Sequence, residues 1–398
     1  MSTNTEAAPS PVHLLRTHSE SVSALHISGD NERIYSGDSS GQVVCTSTRS
    51  LRVITSWKAH DDGILGVEEF GNIIITHGRD NKLHGWNRPQ DTTFSVNLGG
   101  PGLVDQPEPI ISFSLDVNAL NYCRFSLLPL PGIENLPSSS SSSFASPHAM
   151  VALPNLVESS QADIWSIPSK ERLHAAIGNQ TAGSSFSDGR GGDKPTGIIM
   201  SLHLYRISAV NTAGHLRLLL AYESGRVALR QYNGAEPQVS IEGRGWDLLW
   251  EVNLHKESIM ALRVTRDNSL ALSVSADHLV GRYDLVASGD DESRFVAHRT
   301  KHPGNGSIAF RDDGRVCAVG GWDGKIRLYA TKRMKPLGTL RYHKQNCNTL
   351  EFARSITAVE GDEEEEMSEE ELMRRSRWLI AGAGDNRVSI WELMTFEK

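Results

Sequence analysis

The sequence predicts an all-β protein: one propeller of seven four-stranded blades, closed by the chain's own N-terminal strand. Three observations predict it. A turn-and-strand unit recurs five times along the 398 residues. Strands can be drawn in groups of four. The last group is one strand short, and only the N-terminus can supply the missing one. The clearest copy of the unit is Gly321-Trp322-Asp323-Gly324-Lys325-Ile326-Arg327-Leu328-Tyr329. Others begin at Gly78, Ser275 and Gly384, with a worn one at Gly37. The turn Asp accepts hydrogen bonds from its own backbone, and a following Gly or Asn tolerates positive φ. The next residues alternate between two faces, as a strand does.

Taken in order, first strands are expected at 21–27, 63–70, 117–125, 197–206, 258–264, 306–310 and 347–352. Second strands are expected at 33–36, 72–76, 149–154, 215–222, 269–273, 315–319 and 378–381. Third strands end near Thr46, Trp86, Trp165, Arg230, Tyr283, Tyr329 and Trp391. Fourth strands are expected at 52–58, 94–98, 172–177, 248–254, 294–297 and 337–342, and residues 12–17 complete the last blade. Closing the ring removes exposed sheet edges.

Residues 1–11 read as a disordered N-terminus and 12–398 as a single propeller. The basic period is about 40–45 residues. The interval from Trp86 to Trp165 exceeds it, and the excess is assigned to a loop near 126–148 around the serine run Ser138 to Ser143. A Gly/Ser-rich stretch near 178–195 reads the same way. An acidic insert at 358–376 interrupts the last blade, with acids from Asp362 to Glu366 and from Glu369 to Glu371. It reads as a solvated loop; the sharper alternative is a docking segment for a basic partner, helical over 367–375.

A net charge of −8 and a pI near 6.0 disfavour direct nucleic-acid binding, which needs many cations facing phosphates. Cys45, Cys123, Cys317 and Cys347 are far apart and form no C-x-x-C, so neither a zinc knuckle nor a disulfide framework is expected. The first residues lack the apolar core of a secretory signal. No apolar run approaches the roughly 18 residues of a membrane span. A soluble protein of a reducing, intracellular compartment is expected, without a cofactor.

The repeat also carries polar residues at matching positions. His60, Thr76, Asp80 and Trp86 are spaced so that a His, a hydroxyl, a turn Asp and a strand aromatic could share hydrogen bonds. His255, Ser273, Asp277 and Tyr283 repeat the set. His343, Asp385 and Trp391 keep three members, with Ala381 at the hydroxyl position. Blade one has Ser40 where the turn Asp belongs and Thr46 in place of the aromatic, and blade six has Val319 in place of the hydroxyl. Those two blades are expected to rely more on packing. A His–hydroxyl–Asp set also reads as a catalytic triad, but a triad occurs once, and recurrence points to a structural unit.

Three other motifs compete with this reading. Gly37-Asp38-Ser39-Ser40-Gly41 matches the nucleophile elbow G-x-S-x-G, which would make the chain a serine hydrolase using Ser39. The elbow needs a strand–turn–helix frame, and Val43-Val44-Cys45 follows as strand. Gly189 to Lys194 lacks phosphate-loop spacing. His298 and His302 lack a third metal ligand, and His302 fits better as the histidine entering its blade. Arg79 and Trp322 each precede a hairpin Asp, a position that faces one rim of the ring. They are candidate partner-binding residues, unless Trp322 packs on the neighbouring blade.

The arrangement resembles that of WD-repeat β-propellers. Within them, the last third is similar to the ASTRA-associated protein 1 family of fungi and its animal relative, the guanine-nucleotide-binding-protein β-subunit-like protein. The residues that carry this run from His302-Pro303-Gly304 through Gly320-Gly321-Trp322-Asp323-Gly324, then Met334 to His343, ending at Leu379 to Trp391. His18 to Gly41, Trp57 to Asp61 and His77 to Asp80 fit as well, and residues 100–250 match in outline. The resemblance implies a non-catalytic subunit of the nuclear ASTRA assembly, linked to chromatin remodelling. It also implies association with the co-chaperones that mature phosphatidylinositol-3-kinase-related kinases. Another WD-repeat adaptor, in signalling or ubiquitin ligation, is the alternative. A G-protein β subunit would need an N-terminal heptad helix, and a ubiquitin-ligase receptor would need a helical adaptor box.

Overall fold

The computed structural model describes residues 9–89, 108–130, 148–178, 196–209, 212–234, 239–287, 292–355 and 369–394. These form seven antiparallel four-stranded sheets arranged as blades of a propeller. The first strands stand innermost: Val22–Ile27, Ile64–Phe70, Ser126–Pro129, Ile199–Ala209, Ile259–Val264, Asn305–Phe310 and Cys347–Phe352. The outermost are Val53–Lys58, Ile110–Asp116, Glu171–Ile177, Trp246–Asn253, Phe295–Arg299 and Lys335–Arg341. The seventh outer strand is His13–Leu15, which pairs with Val388–Glu392 so that Leu14 faces Ser389. The ring closes as the sequence predicts.

A two-residue alternation turns one side of every blade towards each neighbour, so the apolar core lies between blades. Each of the seven interfaces holds one buried cluster. Blades one and two meet through Trp57 and Trp86, edge to face at 5.9 Å. Leu15 of the closing strand joins Trp378 and Ile380 of blade seven and Leu25 of blade one.

Two expected strands are corrected. The outer strand of blade two is Ile110–Asp116; residues 94–98 lie outside the described residues. The first strand of blade three is Ser126–Pro129, and residues 117–125 form a connecting loop. The insertion expected near 126–148 therefore starts beyond that strand, and residues 131–147 lie outside the described residues, as do 179–195 and 356–368. The tail of the acidic insert is a helix, Glu369–Ser376. Its buried Arg375 bonds Glu371 of the helix and Thr48 of blade one.

Candidate functional site

The hairpins between second and third strands share one end of the ring with the crossovers into the next blade. This hairpin face is where the recurring polar residues gather. In blade two, His60 Nε2 lies 2.8 Å from Thr76 Oγ1 and Nδ1 lies 2.9 Å from Asp80. Trp86 Nε1 donates to Thr76 Oγ1 at 2.8 Å. The Asp80 carboxylate only accepts, so Nδ1–H donates to it, and Nε2 of the neutral ring accepts the Thr76 hydroxyl proton while Thr76 Oγ1 accepts from Trp86. Blade five repeats the set: His255 Nε2 is 2.7 Å from Ser273 Oγ, Nδ1 is 3.2 Å from Asp277, and Ser273 is 2.9 Å from the Tyr283 hydroxyl. Burial holds the His60 and His343 imidazoles below their ordinary pKa, against the pull of Asp80 and Asp385.

Blade seven corrects the sequence reading. His343 Nδ1 lies 2.9 Å from Asp385, and Nε2 lies 2.8 Å from Ser389, which also accepts from Trp391 Nε1 at 2.8 Å. Ser389 pairs directly with Ala381, so the hydroxyl is present, one strand over. Blade one is corrected too. His18 lies 2.8 Å from Asp38 and 2.7 Å from Ser36. Burial would raise the Asp38 carboxyl, but hydrogen bonds from His18 and Ser40 bring it down to about 2. The turn Asp sits two residues early, and Ser40 bonds to it rather than replacing it. Thr46 does leave the aromatic position empty, and its buried hydroxyl has no hydrogen-bond partner among the described residues.

Blade six uses different chemistry. Val319 pairs with Arg327, whose guanidinium bonds Asp323 at 2.6 and 3.1 Å. An Arg–carboxylate fork replaces the His and hydroxyl. His302, expected to enter this blade, is exposed, and its ring makes no hydrogen bond among the described residues.

Sequence reasoning missed His18, Ser36, Asp38, Arg327 and Ser389. A signal existed for blade one: His18 precedes Ser36 by 18 residues, the same spacing as His255 to Ser273.

These sets have triad geometry, but Ser36, Thr76, Ser273 and Ser389 are fully buried, so no substrate carbonyl can reach the hydroxyl. Ser39 is exposed in its turn, followed by the strand Gln42–Ser47 where an elbow needs a helix. Both ring nitrogens of His18 are already engaged by Ser36 and Asp38. His60, Asp80 and His84 bring potential metal-ligand atoms within 4.8 Å, but both His60 nitrogens are committed to Asp80 and Thr76.

What the networks hold in place is the hairpin face. Gly324, at φ 74°, shows how closely the turns fit: a Cβ there would lie 2.4 Å from the His343 carbonyl oxygen. Arg79 N donates to Gly63 O, and Trp322 N donates to Gly304 O. Arg79 stacks on the Tyr122 ring at 4.6 Å and donates to its hydroxyl at 3.0 Å. Trp322 lies against Gly304 and Gly306 of its own blade and keeps 48% of its surface exposed. Arg79 and Trp322 are thus on one face but in separate blades, and no contact joins them.

A central channel runs between the first strands. Its larger cavity, about 230 Å³, is lined by His26, Glu68, His203, Arg263 and Glu351 among others. Arg124, ion-paired with Glu68 at 2.5 Å, lines both this cavity and a smaller one of about 120 Å³.

The family model for the WD domain, G-beta repeat, matches residues 9–45 and 294–330. These segments cover the closing strand with the first three strands of blade one, and the outer strand of blade five with the first three strands of blade six. ASTRA-associated protein 1 of Penicillium rubens is 28% identical over 98% of this chain and 99% of its own length. The protein of that name from Verticillium alfalfae is 29% identical over 97% of this chain and 93% of its own. The guanine nucleotide-binding protein subunit beta-like protein 1 of Mus musculus is 24% identical over 97% of this chain and 96% of its own length.

Proposed function

We propose that this WD-repeat propeller, similar over nearly its whole length to the ASTRA-associated proteins, is a non-catalytic scaffold that binds other proteins. The observation that carries the reading is the rigid hairpin face. Arg79, Tyr122 and Trp322 are exposed there on turns and loops held from beneath by hydrogen bonds of His60, Asn121 and Arg327. Side chains held in place before docking lose little ordering entropy on binding. Large aromatics and Arg are also the residue types on which binding energy concentrates.

The finer assignment rests on the resemblance and on the relatives' names. The chain acts in the nucleus as a subunit of the ASTRA assembly, in chromatin remodelling and in the maturation of phosphatidylinositol-3-kinase-related kinases. Affinity purification of the full chain from its native cells, read by mass spectrometry, tests this. Recovery of ASTRA subunits and kinase-maturation co-chaperones is expected. Clean recovery of an unrelated assembly overturns the assignment.

A further inference from the structure

We propose that the sector of the hairpin face over blades two to four docks a basic segment of a partner protein, one with an apolar side. The inference rests on the scaffold reading and adds the place and the partner's chemistry.

The apolar part is built on two loops that are bonded together. Asn118 Nδ2 donates to the Asn155 carbonyl at 2.8 Å and to Ser159 Oγ at 2.9 Å. Asn121 Nδ2 donates to the carbonyls of Ser159 and Ile199, each at 2.8 Å. With these asparagines buried as anchors, Leu120 and Tyr122 are 73% and 58% exposed, and Leu156 and Val157 are 54% and 92% exposed. Two loops bonded to each other thus expose four large apolar side chains, where single exposed apolar residues are the norm on a surface. Arg79 clamps the Tyr122 ring, which fixes one edge.

Charge selects the occupant. Asp61, Asp62, Glu158 and Glu223 are exposed on the hairpin-face loops of the same blades. Across the face, the hairpins and crossovers of blades five to seven expose both signs, Lys256, Lys301 and Lys344 beside Glu257 and Asp323. The acid excess lies over blades two to four, where the exposed Arg79 is already engaged with Tyr122. An acidic border repels nucleic acid and anionic lipid, and it attracts cations by long-range steering. A segment confined to the acidic sector, with leucine-like residues over Leu120 and Val157, satisfies both the charge and the apolar side chains. The chain's own acidic insert has the wrong sign for this place.

The test uses the full chain and two fluorescent synthetic amphipathic peptides, one of leucine and lysine and one of leucine and glutamate. Their binding is read by anisotropy. The lysine peptide is expected to bind at least tenfold more tightly than the glutamate peptide. Leu120→Ser with Val157→Ser should weaken it about tenfold, and Glu158→Lys with Glu223→Lys by a similar factor. Leu248→Ser and Glu251→Lys, on the outer strand Trp246–Asn253, serve as controls and should change nothing. Equal binding of both peptides overturns the inference, as does an affinity that the sector variants leave unchanged. Dimerisation of the chain that the sector variants abolish, seen by light scattering, also overturns it, because a second copy would then be the occupant. If the purified native assembly persists with all sector variants, this inference fails while the scaffold reading stands. If no assembly is recovered at all, the scaffold reading itself fails.

Discussion

Ser389 satisfies two buried groups at once, the imidazole of His343 and the indole N–H of Trp391. Ser389→Ala leaves both without a partner, so a loss of about 2–4 kcal/mol in urea unfolding is expected. The sequence marked this blade as lacking a hydroxyl because it looked only at Ala381. Strand register, which spacing along the chain does not reveal, brings Ser389 opposite. His77 presents the reverse case. It is fully buried, and neither ring nitrogen has a hydrogen-bond partner among the described residues. His77→Leu should be neutral or stabilising by about 1 kcal/mol, since an apolar group of similar size removes an unmet polar one. The pH dependence follows from the same residue. Burial, more than the nearby His60, pushes His77 down to about 3, and burial does the same to His26. Both histidines take up protons on unfolding at pH values between about 3 and the free value of 6.5. Stability is therefore full above that window and falls as pH falls through it. At pH 5 each should cost about 2 kcal/mol relative to pH 7. The Asp38 carboxyl, down to about 2, adds a loss of the same sign only below its unfolded value near 4. Urea midpoints at pH 7 and pH 5 check this, and His77→Leu should flatten the slope.

At the scale of the element, the hairpin was the most legible feature because its chemistry is local. The recurring Gly answers a distant demand as well: at Gly41 a Cβ would lie 2.1 Å from the His60 carbonyl oxygen of the next blade, just as Gly324 meets His343. Gly324→Ala combines positive φ with a backbone clash, and a loss of about 3 kcal/mol is expected. Gly338, with no atom within 4 Å of its would-be Cβ, is the control and should shift the unfolding midpoint little. Blade three was harder to read. Residues 117–125 are mostly apolar, as an inner strand would be, but the buried Asn118 and Asn121 spend their side chains on the 155–159 loop and on Ile199 instead of facing solvent. The outer strand of blade two was misplaced for a different reason. Residues 94–98 lie at the usual distance from Trp86, and a longer connection is thermodynamically cheap, so spacing cannot choose between them. Blade six was legible as a departure through Val319, but its remedy in Arg327 appears only once the strands are paired.

At the scale of the molecule, seven blades and their closure were readable by counting strands, because a ring one strand short has only one other end to use. Three residues, His13–Leu15, close it. Removing residues 1–16 should expose the edge of Val388–Glu392 and uncover the cluster around Trp378 and Ile380. Concentration-dependent aggregation in light scattering is expected at pH 7. The candidate binding face was less legible. Arg79 and Trp322 were visible through their turn position, but Leu120 and Val157 sit on loops whose exposure depends on side-chain anchors far along the chain. The proposal that the hairpin face is the one used for binding is tested most directly by hydrogen–deuterium exchange on the purified native assembly against the free chain. Added protection is expected at the hairpins and crossovers around residues 79–82, 117–123, 155–161 and 320–324. Protection confined to the outer strands or to the opposite end of the ring would contradict it.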